Sequence, residues 1–261
     1  MMLEDRFLLF IDILGFSELV RTRGQVEVLE TLKTCLDESR GWVDGQHFAR
    51  LYFSDTLVIY SREPGFEQTL WDDFVAIASR MFVALAARKI PTRSALAFGP
   101  FLAERDERNE HDIFFGQALV EASETGKDTP FVGTVLCPSF VQRHSDADLA
   151  HFQETRLLGR MEDGRYYVNP LRHLRHWPDP RWIDSYALEF PARLRSSPED
   201  TYLLEQEILA LDFLHTQERA RHPEEVLLKY RRTMEFFQRV LRADAIEWAR
   251  EAAAGLNTNG R

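Results

Sequence analysis

The run FLLFIDILGF, residues 7–16, admits few environments. Seven of its first eight residues are apolar, the pattern of a strand covered on both faces, and the exception is Asp12. A carboxylate inside such a run costs on the order of several kcal/mol unless a partner neutralises it. The chain must therefore build a sheet around residues 6–12 and bring something cationic to Asp12.

Beyond that strand the chain alternates helical and extended patterns. A helical pattern spans about Phe16 to Leu36, with a break at Thr22-Arg23-Gly24. HFARLYFS (47–54) and TLVIYS (56–61) are strand-like runs meeting at Ser54-Asp55, which predicts a hairpin. Phe66, Leu70, Phe74, Ile77, Met81 and Leu85 recur at helical spacing, so 66–88 reads as a long amphipathic helix. TRSALAFG (92–99) is a strand closed by Gly99-Pro100, RDERNEHD (105–112) a solvated loop and IFFG (113–116) a short strand. QALVEASETG (117–126) is a helix with Gly126 just past its end. A strand at VGTVLCP, a short helix at 139–144 and strands near 153–159 and 165–169 complete the unit. Strands adjacent in sequence favour an antiparallel or mixed sheet, so the expected class is α/β (α+β). The character changes after Pro170. WPDPRW (177–182) is a punctuated connector, and 200–254 is almost wholly helical. There Leu227, Tyr230, Met234, Phe237 and Leu241 form a stripe that must bury against something. The expected division is a unit over 1–170 and a helical extension over 171–261.

Composition narrows the function. With 261 residues, 44% of them hydrophobic, the chain can build a substantial core. A net charge of -10 argues against a sequence-blind grip on nucleic acid, which needs a basic face. The apolar run near the N-terminus is short and holds Asp12, so neither signal peptide nor membrane span is expected. Two cysteines, Cys35 and Cys137, offer neither a disulfide framework nor metal-ligand spacing, and a reducing cytoplasm is the plain reading. The eight histidines show no paired ligand spacing, and His173 and His176 lie in the Arg-rich connector. Ser17 and Ser54 have no nearby base in sequence, and a GxxxxGK phosphate loop is absent.

A second misplaced carboxylate, Asp55 at the tip of LYFSDTLVIY, gives Asp12 company. A single Asp at a strand end is ordinarily a cap or turn residue. Two at the ends of adjacent central strands are what hard, oxygen-seeking cations want. Mg²⁺ or Mn²⁺ is held by one or two carboxylates plus substrate phosphates. Two such ions ~3.5–4 Å apart clamp the attacking and leaving oxygens of an in-line phosphoryl displacement. The expected partner of Asp12 is thus a divalent cation.

FIDILGFSELV, then LYFSDTLVIY, RSALAFGPF and HDIFFGQALVEASETGK, in that order, resemble the class III nucleotidyl cyclase catalytic domain over roughly residues 5–170. More narrowly, the pattern looks like the bacterial pyrimidine cyclases of the Pycsar anti-phage system. The resemblance implies a ferredoxin-like palm that pairs head-to-tail as a homodimer, with active sites at the interface. It implies Asp12 and Asp55 as the catalytic, metal-binding aspartates, with the Ile13 carbonyl completing one of two ion sites. The amides of Leu14, Gly15 and Phe16, opening a helix, would cradle the triphosphate, as a helix N-terminus can. The implied reaction converts UTP to cUMP and pyrophosphate, or CTP to cCMP, and the product switches on a separate effector protein.

Two features depart from the purine cyclases. Where those enzymes usually carry a base-reading lysine, four residues before the second metal aspartate, this chain has Leu51 between Arg50 and Tyr52. Tyr52 could fill a purine-sized pocket and meet the ring edge, and Arg50 could donate to uracil or cytosine. The alternative is Tyr52 in the core and Arg50 in solvent. On the helix after Gly116, the positions of the usual Asn and Arg are Val120 and Glu124, which cannot steady a transition state. Lys127, Arg93 or Arg160 are candidates for the missing charge, though each is more often a surface cation. Asp112 sits where the family has a second base-reading carboxylate, beside a solvated charge run. A catalytically silent nucleotide-binding module is the alternative from another class. A polymerase-palm or diguanylate cyclase relative lacks support, because the hairpin turn is FSDT rather than GGDEF-like.

Overall fold

The computed structural model describes residues 3–39, 47–106, 111–171, 198–241 and 243–259. The apolar run forms strand β1 (Glu4–Ile13), paired antiparallel to β3 (Thr56–Ser61) on one side and β4 (Thr92–Asp106) on the other. With β2 (Phe48–Phe53), β6 (Gly133–Leu136), β7 (Leu158–Arg160) and β8 (Tyr166–Val168), the sheet order is β2-β3-β1-β4-β6-β8-β7. β5 (His111–Phe115) pairs with the far half of β4. Only the β4–β6 pairing is parallel among those described, so the sheet is mixed as the sequence implied.

Strand alternation sorts β1 into two cores. Phe7, Leu9, Ile11 and Ile13 join a cluster with α2 (Gln25–Ser39) and α3 (Gln68–Ala87), through Leu32, Trp71, Phe74 and Ile77. Leu8 and Phe10 face the other way and join Ala118 and Ala122 of α4 (Gln117–Lys127). Burying residues of this size on both faces stabilises the strand by about 1.5–3 kcal/mol for each large side chain. Helix α1 (Phe16–Arg23) is separated from α2 by Gly24, whose φ of 85 ends the first helix where the sequence placed the break.

Three local readings differ from the structure. β4 runs through Gly99-Pro100 instead of ending there. Pro100 falls after β6 leaves β4 at Leu96 and before β5 joins at Leu102, so its missing N–H interrupts no ladder on that edge. Gly126 lies inside α4, not beyond it; a Cβ there would come within 3.7 Å of Phe10 and 3.8 Å of Ala95, so the residue serves close helix-on-sheet packing. Between α5 (Pro138–Val141) and β7 lies α6 (Asp146–Glu154), in place of the strand expected from 153. Its signal was present as a capping box: Ser145 accepts from the Asp148 amide while the Asp148 carboxylate accepts from the Ser145 amide. The connector WPDPRW and the histidines at 173 and 176 lie outside the described residues.

The C-terminal stripe buries against the sheet unit. α7 (Pro198–Arg219) packs on α3, and α8 (Glu224–Val240) and α9 (Ala243–Asn259) pack on α7. Tyr230, Met234, Phe237 and Leu241 join the same cluster as Leu8 and Phe10, together with Phe236. The contact is tight at Gly159 of β7, where an added Cβ would stand 2.3 Å from Phe236 Cε2 and 2.8 Å from Val240 Cγ1. Both neighbours are held in the core and have little room to give. Gly159→Ala is therefore expected to destabilise the protein by about 1–3 kcal/mol through overpacking. A fall in melting temperature of several degrees, with the native circular dichroism spectrum retained, checks it.

Candidate active site

Asp12 is the last polar residue of β1 and lies at the end of the sheet where the β2–β3 hairpin turns. In register it faces Thr56 on one side and Arg93 on the other. The cation that meets it is Arg93: the guanidinium Nε donates to Asp12 Oδ2 at 2.6 Å, with both side chains less than one-fifth exposed. Arg93 Nη1 donates onward to the Lys127 carbonyl at the end of α4, at 2.9 Å. The guanidinium is thus held at both ends.

Asp55 reaches the same end of the sheet through its backbone. Ser54 adopts a left-handed φ of 55, which lets a two-residue loop join Phe53 to Thr56. The Ile13 amide then donates to the Asp55 carbonyl at 2.9 Å, stitching the hairpin tip to the residue after Asp12. The half-buried Asp55 carboxylate lies near the Thr56 hydroxyl at 3.5 Å. A non-glycine residue in the left-handed region carries a cost of about 1–2 kcal/mol, and such strain clusters where a chain must aim a functional group.

The β1–α1 loop is partly committed to the fold. The Leu14 amide donates to the Pro91 carbonyl at 2.9 Å and so is not free for an anion. Gly15, at φ 66, is the residue before α1, and no side chain caps that helix. Of the three amides expected to cradle a triphosphate, those of Gly15 and Phe16 open α1, ahead of its first intrahelical bond from the Leu19 amide to the Gly15 carbonyl.

No protein-family model matches the chain, and no curated protein matches it. Among solved structures, the guanylate cyclase domain of RhGC from Catenaria anguillulae in complex with GTP is similar, with a TM-score of 0.50 and 15% identity over 65% of this chain and 98% of that one. The monomeric guanylyl cyclase domain of the RhoGC fusion protein from the aquatic fungus Blastocladiella emersonii has a TM-score of 0.50 and 14% identity over 64% of this chain and 96% of that one. The fold is that of class III nucleotidyl cyclase domains.

On this cyclase fold the candidate residues separate into groups. Asp12, Ile13, the Asp55 backbone, Gly15 and Arg93 come together. Arg50 and Tyr52 do not join them, because alternation along β2 sends both to the opposite face from Asp12. Tyr52 pairs with Leu57, which pairs with Ile11, and it borders a small apolar void with Ile13, Leu32 and Leu36. Burial, and then the Asp55 charge, raise the Tyr52 phenol above its ordinary pKa. Arg50 Nη1 donates to the Leu36 carbonyl at 3.0 Å, on the α2 side. The β2 residues that share the Asp12 face are Leu51 and Phe53, the latter 55% exposed.

Lys127 contributes its carbonyl to the site, while its side chain is exposed. Arg160 sits on the edge strand β7, separated from β1 by β4, β6 and β8, and donates to the Gly164 carbonyl at 3.1 Å. Within one chain it does not reach Asp12. Asp112 pairs in register with Arg105, but its side chain lies outside the described residues. Val120 and Glu124 are exposed, one turn apart on α4. One cation escaped the sequence reading. Lys229 of α8 lies in the electrostatic field of both Asp12 and Arg93, and its only signal was a place in the charged stretch EEVLLKYRR.

The donor chemistry suits a hard divalent cation. Among the described residues no group of three or more His, Cys, Asp or Glu is poised to hold a metal. Carboxylates such as those of Asp12 and Asp55, and a backbone carbonyl such as that of Ile13, are the ligand types that Mg²⁺ or Mn²⁺ takes together with substrate oxygens. The Arg93 guanidinium neutralises Asp12 in the structure. Removing it strands a mostly buried carboxylate, so Arg93→Ala should lose about 1–3 kcal/mol in metal-free buffer, less than for a wholly buried pair. Urea denaturation of Arg93→Ala, Asp12→Asn and the double variant checks this. The expected result is non-additivity, the double variant being less destabilised than the two single losses combined.

Proposed function

We propose that the protein is a metal-dependent nucleotidyl cyclase that converts UTP to 3′,5′-cyclic UMP and pyrophosphate, with CTP as the nearest alternative substrate. The observation that carries this reading is the junction of Asp12, the Asp55 hairpin tip and Arg93 at one end of a class III cyclase sheet. The proposed assembly is a homodimer with active sites at its interface. Exposed Phe53, Phe115 and Val120 favour it, since large apolar side chains in solvent commonly mark a contact surface.

In this reading the Asp12 and Asp55 carboxylates, with the Ile13 carbonyl, would hold Mn²⁺ or Mg²⁺. Bound there, the ions supply Lewis acidity toward the ribose 3′-hydroxyl and offset the charge gathering on the phosphates. The amides of Gly15 and Phe16 point at the polyphosphate and restrain it. Arg93, held at Asp12 and the Lys127 carbonyl, would supply a positive charge toward the phosphates. The 3′-hydroxyl gives up its proton to water as its oxygen attacks the α-phosphorus, the bond to the bridging oxygen breaks, and pyrophosphate departs with its charge met by these fixed donors. Positioning and preorganised electrostatics are sufficient for such a displacement.

Pyrimidine choice is supported by what the site lacks. The β2 side chain on the Asp12 face, four residues before Asp55, is Leu51, which offers a purine no hydrogen bond. Arg50 and Tyr52 would need to act from the far face of β2, so base reading falls to Leu51, Phe53 and the partner protomer. The cyclic product would act as a second messenger in anti-phage defence, read by a separate effector. One observation favours a silent nucleotide-binding sensor instead: Val120 and Glu124 stand on α4 where purine cyclases carry Asn and Arg.

Chromatography of products from all four nucleoside triphosphates with Mn²⁺ separates these readings. Cyclic UMP as the main product is expected. Cyclic AMP or GMP as the main product removes the pyrimidine assignment, and nucleotide binding without turnover favours the sensor. Asp12→Asn and Asp55→Asn should each lower turnover by at least about a hundredfold, the scale of removing one preorganised electrostatic group. Normal turnover in either variant would refute the metal assignment.

A further inference from the structure

Lys229 lies outside the stretch that resembles a cyclase, yet the fold carries it to the candidate site. A cavity of about 530 Å³ separates the β1–α1 loop and α1 from α7 and α8. Leu14, Gly15, Pro91 and Val132 line one side of it, and Val226 and Lys229 line the other. Gly15 opens α1, where the first-turn amides have no intrahelical partner, so the lysine shares a cavity with that helix start.

The placement of α8 here is fixed. One turn beyond Lys229, the fully buried Thr233 accepts from the Val132 amide at 2.8 Å, and its hydroxyl lies 3.3 Å from the Val132 carbonyl. Val132 immediately precedes Gly133, which pairs in register with Arg93. Met234, Phe236 and Phe237 lock the same helix into the core. The lysine is therefore delivered to the Arg93 end of the sheet by rigid packing.

Its surroundings are unfavourable for a cation. Lys229 is half-buried, and among the described residues its ammonium makes no ion pair or hydrogen bond. Burial first and the Arg93 guanidinium second pull its pKa down, while Glu225 and Asp12 act in the opposite sense. Lys229 lines the cavity, Arg93 lies near enough to oppose its charge, and that repulsion costs free energy until an anion with several charged oxygens offsets it.

We infer that Lys229 binds the polyphosphate of the substrate at the mouth of this cavity, so that the C-terminal helices complete the phosphate site of their own chain. This rests on the proposed cyclase reading for its substrate, a nucleoside triphosphate, but the binding step itself needs only a polyphosphate. Arg93 and Lys229 then grip the same anion from the sheet and from α8, and the repulsion between them is relieved on binding. Two other cations line the wall: Arg23, engaged with Glu27, Thr31 and the Arg88 carbonyl, and Lys89, which is exposed where Lys229 is half-buried.

The test uses the full chain and inorganic tripolyphosphate with Mg²⁺, measured by calorimetry, alongside steady-state kinetics with UTP. Lys229→Gln should weaken tripolyphosphate binding about tenfold or more, the scale of one charge-assisted hydrogen bond. It should also raise KM for UTP more than it lowers kcat, and Lys229→Arg should restore most of both. The exposed Lys33→Gln serves as the control and should change neither. Wild-type affinity in Lys229→Gln, or no tripolyphosphate binding by the wild type, overturns the inference. Cyclic nucleotide formation with unchanged KM in Lys229→Gln sinks the inference and leaves the cyclase reading standing. Lys229-dependent tripolyphosphate binding without cyclic product from any triphosphate does the reverse.

Discussion

The ion pair between Asp12 and Arg93 is the constraint around which the sheet is arranged. Asp12 lies near the end of a strand buried on both faces, and its charge cannot remain there alone. Arg93 meets it only if β4 lies antiparallel to β1 in one register, because a slip of one residue would send the arginine to the opposite face. The same register puts Ala95 and Ala97 beside Phe10 and Leu8, leaving room for α4 to approach until Gly126 touches Phe10. A single electrostatic requirement therefore agrees with the packing on both sides of it, which is how a sequence specifies one pairing over its neighbours.

The pair also links stability to chemistry. An arginine that satisfies this carboxylate is a cation already largely desolvated and held in orientation, by Asp12 at one end and the Lys127 carbonyl at the other. The C-terminal helices extend this arrangement. They merge into the core through Phe236 and Phe237 against β7 and the sheet, and in doing so set Lys229 in the wall of the cavity beside the β1–α1 loop. A region that looks like an appendage in sequence shares its hydrophobic cluster with the central strand. Its removal would expose that cluster along with the site.

Much of this was legible in the residues. Apolar runs and 3.6-residue periodicity marked β1, the β2–β3 hairpin and α3 within a few positions, since burial writes its period directly into a sequence. The errors lay where long-range contacts override local signals. Gly126 reads as a helix stop but answers to Phe10, and Pro100 reads as a strand end but sits between two pairing partners of one long strand. Helix α6 was missed although Ser145 and Asp148 form its capping box, because the apolar positions after it resemble strand.

Sequence alone determined that a buried strand carries a carboxylate, that a second one sits at a hairpin tip, and that the first requires a cation. Only the tertiary structure decided which cation answers, because Arg93 lies 81 residues away and becomes a neighbour through sheet register. It also decided that Arg50 and Tyr52 turn from Asp12 while Lys229 comes to share a cavity with the β1–α1 loop. Alternation along a strand is local and readable. Which face becomes a site depends on what the rest of the chain packs against it.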